Sequence, residues 1–208
     1  MKSATQILEK VLAADKVDLG LNDLRRMTLL EYHRLIEIGF FSSEDRIELL
    51  DGYVVQKMPQ NDPHAVCISL IPDELLKAIP SEWTVRSQLP ITLAGDSEPE
   101  PDAVICSGPK RRYGTGHPVA KDLAIVIEVA HTTLRRDRIL KLRIYARNRI
   151  AVYWIINLID VRVEVYTRPI GGKNPTYRQR EDYGLTDRVP VVIAGETVGE
   201  IAVKDLLP

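Results

Sequence analysis

Two carboxylates occupy positions where an apolar strand has no structural use for them. In the run Leu123-Ala-Ile-Val-Ile-Glu-Val-Ala130 every residue except Glu128 is apolar, and period-two alternation puts Ala124, Val126, Glu128 and Ala130 on one face. Asp102 follows Pro101 and heads a second apolar run, Ala103-Val104-Ile105. A carboxylate buried without a partner is costly, so each must be compensated by a base, by hydrogen bonds or by a metal ion. Two such groups in buried strands suit a hard divalent cation such as Mg²⁺, which takes few protein carboxylates and keeps waters able to meet a phosphate. Downstream, Asp137, Lys141 and Tyr145 recur at i, i+4 and i+8, sharing one helix face that can turn toward Glu128. A lysine there can orient a metal-bound water or stabilise charge on a scissile phosphate. The competing reading is an ordinary helical ion pair between Asp137 and Lys141.

Charge is segregated along the chain. Between Leu134 and Arg149 lie seven bases opposed only by Asp137, a local net of +6 within a total of -1. An acidic run, Asp96, Glu98, Glu100 and Asp102, falls in DSEPEPD. Such separation can bring a polyanion to one surface and a cation to another, although a solvated basic helix face would look the same. Arg135, Arg136 and Arg138 are the candidates to hold phosphates, and Lys110, Arg111 and Arg112 could extend that surface.

The elements that must position these residues follow from pattern. The 208 residues, 45% hydrophobic and 27% charged, suit one soluble domain over 27–208 after a polar, weakly amphipathic lead-in over 1–26 that could form a helix. Thr28-Leu-Leu-Glu31 has the spacing of a capping box, with Gly39 as a stop. Asp51-Gly52 between two apolar-rich runs predicts a hairpin. A helix is expected from Pro63 to about Ile79, kinked or split at Pro72. WTVRSQLPITL and PDAVIC read as strands, LAIVIEVA as a strand buried on both faces, and Leu134 to Tyr145 as a helix crossing to the strands AVYWIINL and VRVEVYTRP. Leu134, Ile139, Leu140, Leu142, Ile144 and Tyr145 form its expected apolar face. The Val-rich tail should cover the sheet edge. This order gives an α/β (α+β) sandwich on a mixed central sheet. Cys67 and Cys106 have no metal-ligand spacing, and no signal core or membrane span is visible, so a reducing, cytoplasmic setting is expected.

Several of these segments occur together in a recognisable order: DRIELLDGYVVQKMP, His64, VRSQLPITL, SEPEPDAVI, His117-Pro118, IEVAHTTLRRDRILKLRIYA, VYWIINL and VEVYTRP. From about Met27 to Pro208 the chain resembles the Uma-type family of restriction endonucleases within the PD-(D/E)XK nuclease superfamily. The resemblance implies a restriction-endonuclease-like fold, a mixed sheet flanked by helices. It makes Asp102 and Glu128 the metal ligands, with the backbone carbonyl of Val129, and it makes Glu48 an additional acidic residue. The superfamily lysine, two residues past the Glu, is replaced here by Ala130, so Lys141 on the next helix is its counterpart. His64 and Gln88 match recurrent positions with a supporting role. Two positions depart from the family pattern. His131 stands where a small or acidic residue is common, and Ala151-Val152 replaces Pro-Glu.

The expectation is therefore a DNA endonuclease dependent on Mg²⁺ or Mn²⁺, with a homodimer as the arrangement that would let it cut both strands. The rival is a DNA-binding or protein-interaction module that kept the fold and lost the chemistry, to which the near-neutral total charge and Val152 lend some weight. A glycosidase-type acid/base pair is disfavoured, because such a cleft needs exposed aromatics and these make up 6% of residues. His131 is open to two readings, a general base beside Glu128 or a hydrogen-bonded structural residue. Cys106 and Trp154 read as core.

Overall fold

The computed structural model describes residues 24–59 and 61–208, so the expected lead-in lies almost wholly outside the described residues. Helix α1 (Leu29–Glu37) opens on the expected capping box: the Thr28 side chain accepts from the Glu31 amide, and the Glu31 carboxylate accepts from the Thr28 amide. Strands β1 (Ile47–Leu50) and β2 (Tyr53–Gln56) pair antiparallel through Asp51-Gly52. Both turn residues take positive φ, 52° and 79°, as the tightest hairpin turn requires. Helix α2 (Asp62–Ala78) follows, then β3 (Trp83–Ser87), β4 (Ala103–Ser107) and β5 (Leu123–Ala130). The crossover after β5 has three parts: α3 (Leu134–Arg136), a π-helical turn (Asp137–Lys141) and α4 (Leu142–Arg147). The chain ends with β6 (Val152–Asn157), β7 (Arg162–Ile170), β8 (Thr176–Gly184), β9 (Arg188–Ile193) and β10 (Glu196–Ala202).

Six strands form the central sheet in the order β3-β4-β5-β6-β7-β8. All neighbours are antiparallel except β5 and β6, which the helical crossover makes parallel, so the sheet is mixed as expected. Each face carries its own core. Ile125, Ile127 and Val129 of β5 pack with Cys67, Ile71 and Leu75 of α2 and with Val189, Val191 and Ile201 of the β9–β10 hairpin. Val126 and Ala130 point the other way, against Ile144, Tyr145 and Ala146 of α4 and Leu50 of β1. Fully burying each large aliphatic side chain here stabilises the fold by about 1.5–3 kcal/mol.

The structure corrects five local expectations. Ala124 packs with Ile125 and Ile127, not with Val126, because the pairing of β4 and β5 shifts register between Ile105 and Cys106. Pro72 does not split α2; it removes one backbone bond, and the buried row Cys67, Ile71 and Leu75 holds the helix through it. The strand starting at Trp83 stops at Ser87, since Gln88 turns into the left-handed region with φ 52°. The tail does not simply cover an edge: β8 joins the sheet, and β9–β10 lies across one face. Finally, the basic helix is not one regular α-helix. The Leu142 amide reaches back five residues to the carbonyl of Asp137, which also accepts the Tyr153 hydroxyl at 3.2 Å. Asp137 and Lys141 are both buried, while Ile139, expected on the apolar face, is 51% exposed.

Candidate active site

Glu128 sits near the end of β5 on the face that meets the crossover. Its Oε1 accepts from Lys141 Nζ at 2.9 Å and from the Tyr145 hydroxyl at 2.6 Å. Lys141 Nζ also lies 3.3 Å from Oε2 of Glu48, so one ammonium stands between two buried carboxylates brought by β1 and β5. Burial pushes the Glu128 carboxyl up to about 8; Lys141 opposes the shift, and the charges of Asp102, Asp137 and Glu48 add to it. Burial alone would lower Lys141, but Glu128, Glu48 and Asp137 together hold it above the ordinary lysine range and so keep it charged. Burial and the Glu128 charge keep the Tyr145 hydroxyl protonated, hence a donor. Asp137, also buried, is raised by desolvation against the opposing pull of Lys141.

Asp102 lies just before β4, and its Oδ2 accepts from the Val129 amide at 2.7 Å, which fastens it to β5 beside Glu128. His64 Nε2 is 3.5 Å from the same oxygen. Gln88 donates its backbone N–H to the carbonyls of Pro101 and Asp102, both at 3.2 Å, which fixes the chain entering β4. Glu48, Asp102, Glu128, Lys141, His64 and Gln88 all line a single cleft, together with Val129, Asp137 and His131. Tyr145 stands behind Glu128, fully buried.

The arginines divide. Arg136 lines the cleft, with Nη1 3.3 Å from the Gln56 carbonyl, and Arg135 is exposed on the same short helix. Arg138 does not join them. Its guanidinium forks onto Glu164 of β7, with Nε 3.1 Å from Oε2, so of the three arginines expected to hold phosphates this one is already paired within the fold. Other cations of the +6 segment are likewise bound internally, Arg147 to Asp51 and Lys141 to the two glutamates. Arg112 pairs with Asp122 and does not line the cleft. The segregated charge therefore serves packing more than a continuous polyanion surface.

Pattern reading overlooked Arg46, Lys57 and Asn61, which also line the cleft, as does Glu100 of the acidic run. Asn61 was open to discovery: Asn-Asp-Pro is a helix start, and the Asn61 side chain caps α2 by accepting from the His64 amide at 3.1 Å. Lys57 and Glu100 form an ion pair between β2 and the acidic loop, a contact that no local spacing reveals.

Among the described residues no group of three or more His, Cys, Asp or Glu is gathered as a metal cage. Mg²⁺ needs less, one or two carboxylates with water completing the shell. The donor set fits it: hard oxygens only, from Asp102 and Glu128, beside a buried Oε1 of Glu48 that has no hydrogen-bond partner among the described residues.

Comparison with known proteins bears on the family and the fold. A family model described as "Uma2: Putative restriction endonuclease" matches residues 29–198. The chain is similar in fold to a crystal structure from Anabaena variabilis, titled a putative nuclease belonging to DUF820. The TM-score is 0.58 and the identity 19%, over 86% of this chain and 97% of that one. No curated protein matches the chain. Among the described residues no helix is long and apolar enough to cross a membrane.

Proposed function

The chain belongs to the Uma2 restriction-endonuclease family, and on that premise we propose that it hydrolyses DNA phosphodiester bonds with the help of a divalent ion, Mg²⁺ or Mn²⁺. The observation that carries this reading is the meeting of Glu48, Asp102 and Glu128, from three separate stretches of chain, with one buried lysine in a single cleft. Asp102 and Glu128, with the carbonyl of Val129, would hold the ion. When bound it polarises the phosphoryl oxygen and makes a coordinated water more acidic. Lys141, kept charged by its two glutamates, orients the attacking water or meets the negative charge that develops on the phosphate. Tyr145 fixes the Glu128 carboxylate by donating to Oε1. Arg136, with Arg135 beside it, offers charge to the flanking phosphates. Double-strand cleavage takes two such clefts, and a homodimer would supply them.

The test is cleavage of plasmid DNA in Mg²⁺. Asp102→Asn, Glu128→Gln and Lys141→Ala should each lower the rate by about 100-fold or more. Full activity in the Glu128 or Lys141 variant would overturn the assignment. The non-catalytic DNA-binding module finds support in the way Lys141 is already engaged by both Glu48 and Glu128. A calorimetric titration in which neither Mg²⁺ nor Mn²⁺ binds, with DNA present, would favour it.

A further inference from the structure

His131 has no part in the chemistry above. It lies one residue beyond β5 and lines the cleft. Its Nδ1 is 2.9 Å from Nδ2 of Asn61. Which of these groups donates follows from the helix cap. Asn61 Oδ1 accepts the His64 backbone N–H at 3.1 Å, an interaction an amide nitrogen could not make, so the NH₂ end must be the one that faces His131. An NH₂ group only donates. Nδ1 of His131 must therefore be the lone-pair nitrogen, and the proton of the neutral ring sits on Nε2, the remaining polar atom of a side chain at the cleft wall.

We infer that His131 is a substrate-binding residue that presents Nε2–H as a fixed donor to a phosphate oxygen of DNA in this cleft, and that Asn61 is the positioning residue that sets its tautomer. The inference rests on the nuclease reading for its ligand, but not for its geometry. An oriented N–H is a donor that a phosphate oxygen can accept from, and Arg46, Lys57, Arg136 and Lys141 in the same cleft wall supply positive charge beside Glu48, Glu100, Asp102 and Glu128. Asn61 couples the donor to the fold as well, because the same amide that orients His131 also caps α2, the helix that carries His64 toward Asp102.

The experiment has two arms. Long-range ¹H–¹⁵N correlation spectra of the free protein, recorded where the ¹⁵N shifts show the His131 ring neutral, report its tautomer directly. The wild type should show the Nε2–H form. Asn61→Asp keeps a strong helix cap but presents an acceptor to Nδ1, so it should switch the ring to Nδ1–H. In the same buffer, with Ca²⁺, anisotropy of a fluorescent DNA duplex should report about tenfold weaker binding for Asn61→Asp and for His131→Ala. His131→Gln, whose amide N–H falls near the place of Nε2–H, should recover most of that loss, which a purely structural role would not allow. A wild-type ring found as Nδ1–H overturns the inference, as does unchanged DNA affinity once Asn61→Asp has switched the tautomer. If the wild type shows the Nε2–H form yet binds no DNA, the nuclease reading fails and takes the phosphate assignment with it. If DNA binding and cleavage are normal in every variant, only the role of His131 fails.

Discussion

Two buried glutamates lie in one row across the same face of the sheet, and the protein treats them oppositely. Glu128 of β5 stands beside Ile155 of β6, which in turn stands beside Glu164 of β7. Glu164 is fully enclosed and fully met. Arg138 forks onto it, Asn157 Nδ2 donates at 2.8 Å, the Tyr166 hydroxyl at 2.7 Å, and Arg180 lies 3.4 Å away. Burial works to raise its carboxyl, but these bonds, led by Arg138, hold it below the ordinary range. Glu128 receives one ammonium shared with Glu48 and one hydroxyl, among further carboxylates, and its carboxyl is pushed up. A satisfied charge anchors structure; an under-neutralised one at a cleft wall keeps capacity for another cation. The π-turn joins the two, giving Arg138 at its second residue to Glu164 and Lys141 at its last to Glu128.

The strongest challenge to this contrast is Arg138→Ala. It leaves Glu164 buried with its main counter-charge removed and should cost about 3 kcal/mol in urea unfolding. An unchanged midpoint together with weakened DNA binding would return Arg138 to the phosphate surface. Glu128→Gln should do the reverse. In metal-free buffer it relieves repulsion from Asp102, Asp137 and Glu48, so stability should hold or rise by about 1 kcal/mol while cleavage falls. A loss of stability as large as that for Arg138→Ala would erase the distinction. The smallest effect is on pH dependence. Because the folded-state pKa of Glu164 is depressed, its contribution is complete above the unfolded value near 4.5 and is lost as pH falls through the lower folded value. Urea midpoints measured downward from about pH 5 should therefore fall less steeply in Glu164→Gln than in the wild type.

The sheet and the acidic half of the site were legible because both rest on local pattern. LAIVIEVA is a strand over its whole length, and a lone acid in such a run must face something special. Asp51-Gly52 made its hairpin because two successive positive φ angles suit few other pairs. The same signal did not discriminate, however. Glu164 interrupts VRVEVYTRP just as Glu128 interrupts LAIVIEVA, and only the partner 26 residues away, Arg138, shows that it is structural. Helical spacing brought Asp137, Lys141 and Tyr145 to one side, but by a route pattern cannot foresee. Ile139, two residues from both Asp137 and Lys141, falls on the opposite side and is exposed, and the π-turn is a winding that spacing alone does not reveal. Asn61 escaped because its contact with His131 spans 70 residues.

The π-turn has a further consequence. In an α-helix each residue advances the direction of a side chain by about 100°, so one surplus residue wound into a wider turn amounts to a rotational phase step. Everything after Lys141 is set by that step, and the sequence and the helix no longer count in the same units. A single-residue deletion at exposed Ile139 would look harmless by accessibility. It would bring the helix back into ordinary phase and, in doing so, uncouple the lysine that serves Glu128 from the arginine that serves Glu164. This is one place in the chain where length matters more than identity.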